Sequence, residues 1–162
     1  MGDVTFTRPS LARSKVEATV SYGQWLPGYM DYSALQAGAF MAPGDNLGIR
    51  LDYRNNMFGA MEIIDENGNS NGTTKPSEQR ILAGVSLRIA DNFVFDVNGK
   101  FLSCALTGKA SALAGDLGFS YLKDALTLGF KVSDIGSKYS FGGSSYSLPM
   151  RVQAGGSFRL DP

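Results

Sequence analysis

Histidine is absent from the 162 residues, and Cys104 is the only cysteine. These gaps exclude an intramolecular disulfide, a cysteine-histidine catalytic pair and the usual transition-metal clusters. Carboxylates and lysines are the chemistry that remains, and neither a metal nor a cofactor is expected. An excess of one charge is missing too, since fifteen Lys and Arg balance fifteen Asp and Glu. A neutral chain has no electrostatic footprint for a polyanion, so no nucleic-acid partner is expected. No stretch approaches the roughly 18 continuous apolar residues of a spanning helix. The first residues also lack the charged start and apolar run of a signal peptide, so the chain is either cytoplasmic or one whose leader has been removed.

What is plentiful is glycine, at 20 residues, with 10 Phe and 7 Tyr, a composition that favours a turn-rich β protein. The length suits one domain spanning 1–162. Period-two alternation dominates and recurs about eight times. Val16, Ala18, Val20 and Tyr22 mark a first strand, and Leu35, Ala37, Ala39 and Met41 a second. Leu47, Ile49, Leu51 and Tyr53 mark the third, whose pattern extends toward Met61 and Ile63 as one long strand. Ile81 to Ile89, Phe93 to Phe101, Leu113 to Tyr121, Leu126 to Val132 and Met150 to Leu160 supply the remaining five. Arg8 to Arg13, with Pro9 near its first turn, is the one candidate helix, and it is short.

The connections alternate in length. Gln24 to Asp31, Asp65 to Pro76 and Ser137 to Ser147 are long, with a shorter Thr107-Gly108-Lys109 after the fifth strand. Pro43 to Asn46, Ala90-Asp91-Asn92 and Lys123-Asp124 are tight turns. In an antiparallel up-and-down meander the two classes fall at opposite ends, giving one trimmed rim and one elaborate rim, as in outer-membrane barrels. The expected fold is therefore all-β, an antiparallel meander of about eight strands forming an outer-membrane-type barrel or part of one.

Periodicity alone leaves two architectures open: a soluble lipocalin-like barrel with the apolar face inside, and a membrane barrel with that face against lipid. The polar faces mix both signs with very small residues, including Gly84, Gly118, Gly129 and Gly155, which suits a crowded lumen. The expected lumen charge network is Arg50, Asp52, Asp96, Lys100, Asp116, Lys131 and Arg151.

Several segments, in order and spacing, resemble the PorV/PorQ family of Bacteroidetes outer-membrane proteins, relatives of the FadL-type fatty-acid channels. They are Val16 to Trp25 with its Gln-Trp-Leu-Pro corner, Ile63 to Gly68 leading to Gly72 to Ser77, Gly115 to Gly118, Leu128 to Gly136, and Ser147-Leu148-Pro149. The resemblance runs from about Thr7 onward. It implies a bacterial outer-membrane location and an accessory role in type IX-like protein secretion or surface attachment. FadL-type barrels have more strands than eight, so it also implies a reduced member or a fragment. Arg8-Pro9-Ser10 stands where the family carries an Asn-Pro-Ala type segment.

The partners expected on this reading are membrane lipid or detergent and secretion-system or surface proteins, with homo-oligomers through any open strand edge. The candidate contact loops carry Trp25, Leu26, Pro27 and Tyr29, and Tyr139, Phe141 and Tyr146. Exposed aromatics suit a contact patch, and equally a membrane-interface belt or a cover over the barrel mouth. The alternative function is FadL-like binding or transport of a hydrophobic small molecule, lined by Leu82, Val94 and Leu102 on otherwise polar faces, and the third is a soluble lipocalin-like binder with an apolar interior. No catalytic residue is expected: paired lumen charges are commonly structural, and Gly142-Gly143-Ser144-Ser145 has no P-loop context and reads as a flexible loop.

Overall fold

The computed structural model describes residues 15–25, 28, 31–106, 108–136, 138–141 and 144–159, with the backbone alone for Lys15, Ser140 and Phe141. The candidate helix over Arg8 to Arg13 lies outside the described residues. Within them the chain is all-β: β1 (Lys15–Trp25), β2 (Tyr32–Ala42), β3 (Leu47–Met57), β4 (Met61–Ile64), β5 (Ser70–Thr74), β6 (Ser77–Ala90), β7 (Phe93–Ala105), β8 (Lys109–Lys123), β9 (Leu126–Gly136), β10 (Lys138–Phe141), β11 (Ser144–Ser147) and β12 (Arg151–Phe158). Eight long strands form one antiparallel sheet in the order β1-β2-β3-β6-β7-β8-β9-β12. The sheet is open, with β1 and β12 at its edges, and the described strands do not close into a barrel.

Two expectations need correction. The third strand does not run on to Ile63. It stops at Met57, where the Phe58 N–H donates to the Pro76 carbonyl at 3.0 Å and pinches off a neck. The apolar alternation beyond that neck belongs to a separate hairpin, β4 paired with β5. The long segment before the last strand is likewise not all loop, because β10 and β11 pair as a second hairpin, with Ser144 and Ser145 in β11.

At the trimmed rim the turns are short, and each is tied to the next. Arg88 donates its N–H to Asn46 O, Leu122 to Asn92 O and Arg159 to Ala125 O, at 2.8–2.9 Å. Asp124 takes the left-handed conformation (φ 47°) that the two-residue turn between β8 and β9 requires. Aspartate tolerates that region better than most residues.

The register sorts every side chain to one of two faces. One row links Val16, Met41, Ile49, Val85, Val97, Leu117, Val132 and Val152 across all eight strands. This face is apolar and exposed from edge to edge, from Val16 and Val20 on β1 to Phe158 on β12. The opposite face holds the buried residues Ala42, Leu82, Val94, Lys100, Ala110, Ala112, Ala114, Asp116 and Ser133. The polar face is thus the inner one, the reverse of what a water-soluble barrel needs.

The inner face is buried because the sheet curls. Ala42 of β2 and Val94 of β7 share a buried cluster with Phe40 and Leu122. In a flat sheet, β2 and β7 would stand roughly 14 Å apart, three spacings of about 4.8 Å. Gly48 allows the approach: a Cβ there would lie 2.9 Å from the Phe40 ring, which lies across β3 at that point. The trimmed end of the interior is therefore filled by apolar side chains.

Candidate functional site: an inner-face charge cluster

Lys100 sits near the middle of β7, and its ammonium lies 2.6 Å from Asp116 Oδ1 on β8 and 2.6 Å from Asp134 Oδ1 on β9. Asp116 also receives Lys131 Nζ at 3.2 Å, and Asp134 receives Arg151 Nη2 at 2.7 Å and Nε at 3.0 Å. Lys100 is 6 % exposed and Asp116 2 %. Charges held that far from water require close counter-charges, and each of these has them. Lys131 and Arg151 are more open and face the free side of the cluster.

A β-bulge builds this arrangement. Between Gly115 and Leu117 the register against β9 slips, so that Ser133 and Asp134 together oppose Asp116. Asp134 takes the left-handed conformation, φ 63°. By simple alternation Asp134 would share the outward face with Phe130 and Val132. The extra residue turns it inward, where it meets Lys100 and Arg151.

Of the seven residues expected in one lumen network, the structure gathers Lys100, Asp116, Lys131 and Arg151. Arg50 and Asp52 form a separate ion pair two residues apart on β3. Asp96 accepts a hydrogen bond from Ser86 Oγ and stands apart from the cluster. The sequence reading missed Asp134. Its signal was a phase slip, since the apolar positions run Leu126, Leu128, Phe130, Val132 and then Ile135 rather than 134.

The candidate contact aromatics do not form one patch. Trp25 ends β1 and is 68 % exposed, whereas Tyr139 and Tyr146 face each other across the β10–β11 hairpin, which packs on β8 far across the sheet. Leu26, Pro27 and Tyr29 lie outside the described residues, as does the side chain of Phe141. Tyr146 is exposed, and Tyr139 is half-buried. Its phenol is pushed above its ordinary 10.0 by burial and then by Cys104, Glu78 and Asp134. Of the apolar candidates on the polar face, Leu82 and Val94 are buried, Val94 in the Phe40 cluster, and Leu102 is partly buried.

Among the described residues, no group of three or more Cys, Asp or Glu side chains is placed to hold a metal ion. Among the described residues no helix is long and apolar enough to cross a membrane, which leaves crossing by strands untouched. No protein-family model matches the sequence, and no curated protein matches it.

Proposed function

We propose that this chain forms the lipid-facing wall of a bacterial outer-membrane β-barrel, with a non-enzymatic accessory role in protein secretion or surface attachment. The observation that carries the membrane reading is the inversion of the two faces: an apolar belt exposed across all eight strands, and a buried face carrying Lys100 and Asp116. Soluble monomers rarely expose a contiguous apolar patch above roughly 600 Å², and lipid is the solvent in which such a belt costs nothing.

Two further features support it. Phe93 packs against Phe119 and Tyr121 on the apolar face near the trimmed rim, with ring centroids 5.4 and 5.0 Å apart. Aromatic clusters at that height suit the water-lipid boundary. The hairpins β4–β5 and β10–β11 both stand at the opposite, elaborate rim, as expected of outward-facing loops.

The secretion role draws on the resemblance to the PorV/PorQ family and on those rim hairpins, which offer exposed strand backbone and Tyr146 to a protein partner. The open edges β1 and β12 are the places where a second copy would add strands. The competing conduit reading needs an apolar inner lining, and Val94 is already packed against Ala42 and Phe40.

Expression with a leader in a Gram-negative host, followed by fractionation and gel mobility before and after heating, tests the membrane reading. Outer-membrane recovery with detergent-dependent extraction is expected. A soluble monomer without a mobility shift would overturn it. Cross-linking with and without residues 61–74 then tests the secretion role, with loss of a defined protein adduct expected on deletion. Co-purified fatty acid without any adduct would favour the conduit.

A further inference from the structure

Arg54 of β3 and Arg80 of β6 stand directly opposite each other in the sheet. Both lie on the inner face, since Arg54 is in phase with Asp52 and Arg80 with the buried Leu82. Like charges set opposite each other across an antiparallel pair destabilise it unless a counter-charge intervenes. Among the described residues neither guanidinium enters an ion pair, and Arg80 makes no side-chain hydrogen bond. The same cross-strand row continues with Gln36 beside Arg54 and Leu102 beside Arg80, and neither brings a charge.

The carboxylates closest along the two strands are committed elsewhere. Asp52, two residues from Arg54, pairs with Arg50 and lies over β2, where a Cβ at Gly38 would fall 2.9 Å from its Oδ1. Glu78, two residues from Arg80, accepts from Asn56 Nδ2 at 3.4 Å. Asn56 also positions Arg54: its Oδ1 accepts Arg54 Nε at 3.1 Å and the Tyr32 hydroxyl at 3.1 Å. Held through Nε, Arg54 keeps both Nη groups for another acceptor. Arg80 is exposed and Arg54 partly so, which leaves the pair open to solution.

We propose that Arg54 and Arg80 form a phosphate-binding site on the inner face, between the Lys100 cluster and the elaborate rim, for a phosphate dianion, free or carried by a small solute. Guanidinium forks match the geometry of phosphate oxygens. Two positive charges balance a dianion, whereas chloride would neutralise only one of them. The site goes beyond the secretion reading and is independent of it, because it requires only that this face be the inner one, whether lipid or water covers the other.

Titration of the folded full chain with inorganic phosphate, read by phosphorus NMR and by the thermal midpoint, tests the site. Saturable binding and a midpoint that rises with phosphate are expected. Arg80→Gln is expected to weaken binding about tenfold, and Lys131→Gln, the same charge loss on the same face, by less than about twofold. Arg80→Glu places a carboxylate opposite Arg54, so it is expected to abolish binding and to raise the midpoint measured without phosphate. Arg80 is exposed, so its variants are expected to keep the sheet, which circular dichroism checks. Glycerol phosphate titrated in parallel separates the two sources: tighter binding than inorganic phosphate supports a phosphorylated solute, and weaker binding supports the free ion. No saturable binding of either overturns the proposal, as does equal weakening in Arg80→Gln and Lys131→Gln. An Arg80→Glu midpoint no higher than wild type overturns it too, because the arginine pair would then already be neutralised.

Discussion

The backbone N–H of Asp134 donates to Oδ1 of Asp116 at 3.0 Å, so a carboxylate on β8 fastens the extra residue of a bulge on β9. Lys100 then bridges the two carboxylates from β7. Three strands are joined by one bulge and one ammonium, and Arg151 extends the link to β12.

Removal of Lys100 leaves two carboxylates facing each other on the buried face. Lys100→Met is expected to destabilise the protein by about 3–5 kcal/mol, the cost of an uncompensated buried charge. Lys131→Met removes a longer, more exposed contact and is expected to cost no more than about 1 kcal/mol. Urea unfolding followed through Trp25, the single tryptophan, measures both. Equal midpoints for the two variants would show that Lys100 is not the bridge described.

The backbone at Asp134 supplies a second contrast. Asn tolerates the left-handed region and keeps a polar head, whereas a β-branched residue is strained there. Asp134→Asn is expected to lose about 1–2 kcal/mol with the ion pairs, and Asp134→Val roughly twice that, because strain adds to the lost charges. The same urea titration decides it, and a Val variant as stable as the Asn variant would remove the bulge from the account.

Alternation carried most of the fold in the sequence, because a residue's parity alone assigns it to one face of a sheet. Val16, Ile49, Val97 and Val152 are in phase and share one face. Parity fails where the count of residues slips, and simple alternation puts Asp134 on the wrong face for that reason. Met61 and Ile63 misled in the opposite way: they keep the phase of β3, yet the Phe58–Pro76 bond lies between them and that strand. Arg50 and Asp96 share the inner face with Lys100, as parity requires, but parity fixes only the face. Distance along and across the strands separates them from the cluster.

Glycine offers a test of close packing. At Gly136 a methyl group would meet the backbone of Leu113 and Ala114, which cannot move aside cheaply. At Gly99, on the outward face, the nearest atom is 4.0 Å from the added carbon. Gly136→Ala is expected to destabilise by about 1–3 kcal/mol, and Gly99→Ala to be neutral or slightly stabilising. Thermal unfolding of the two variants side by side reads the difference, and the reverse order would contradict the packing at the β8–β9 junction.

The β4–β5 turn carries a pH response. Asp65 accepts the backbone N–H groups of Asn69 and Asn67 at 2.8 and 2.9 Å, and Asn69 first, then Asn67, holds its carboxyl below the ordinary 3.8. The folded hairpin favours the ionised form. Its contribution is complete above 3.8 and is lost as the pH falls through the lower folded value. Amide exchange at Asn67 and Asn69 is expected to accelerate below that point in the wild type and to lack the step in Asp65→Asn, which keeps an acceptor without a titrating proton. A step that survives in Asp65→Asn would assign the response to another carboxylate.

A single charge at mid-height reports which solvent covers the apolar face. Leu117 lies near the middle of β8 and points outward, 44 % exposed. If lipid covers that face, Leu117→Arg is expected to cost about 2–4 kcal/mol in a bilayer, where a guanidinium at the midplane is poorly solvated. Lys123→Arg, at the trimmed rim, is expected to cost nothing measurable. If water covers the face, Leu117→Arg replaces an exposed apolar group with a charged one and leaves stability within about 0.5 kcal/mol of wild type. Refolding into vesicles, with unfolding read from Trp25, separates these outcomes, because the predicted penalty depends on depth in the bilayer and not on any contact within the protein.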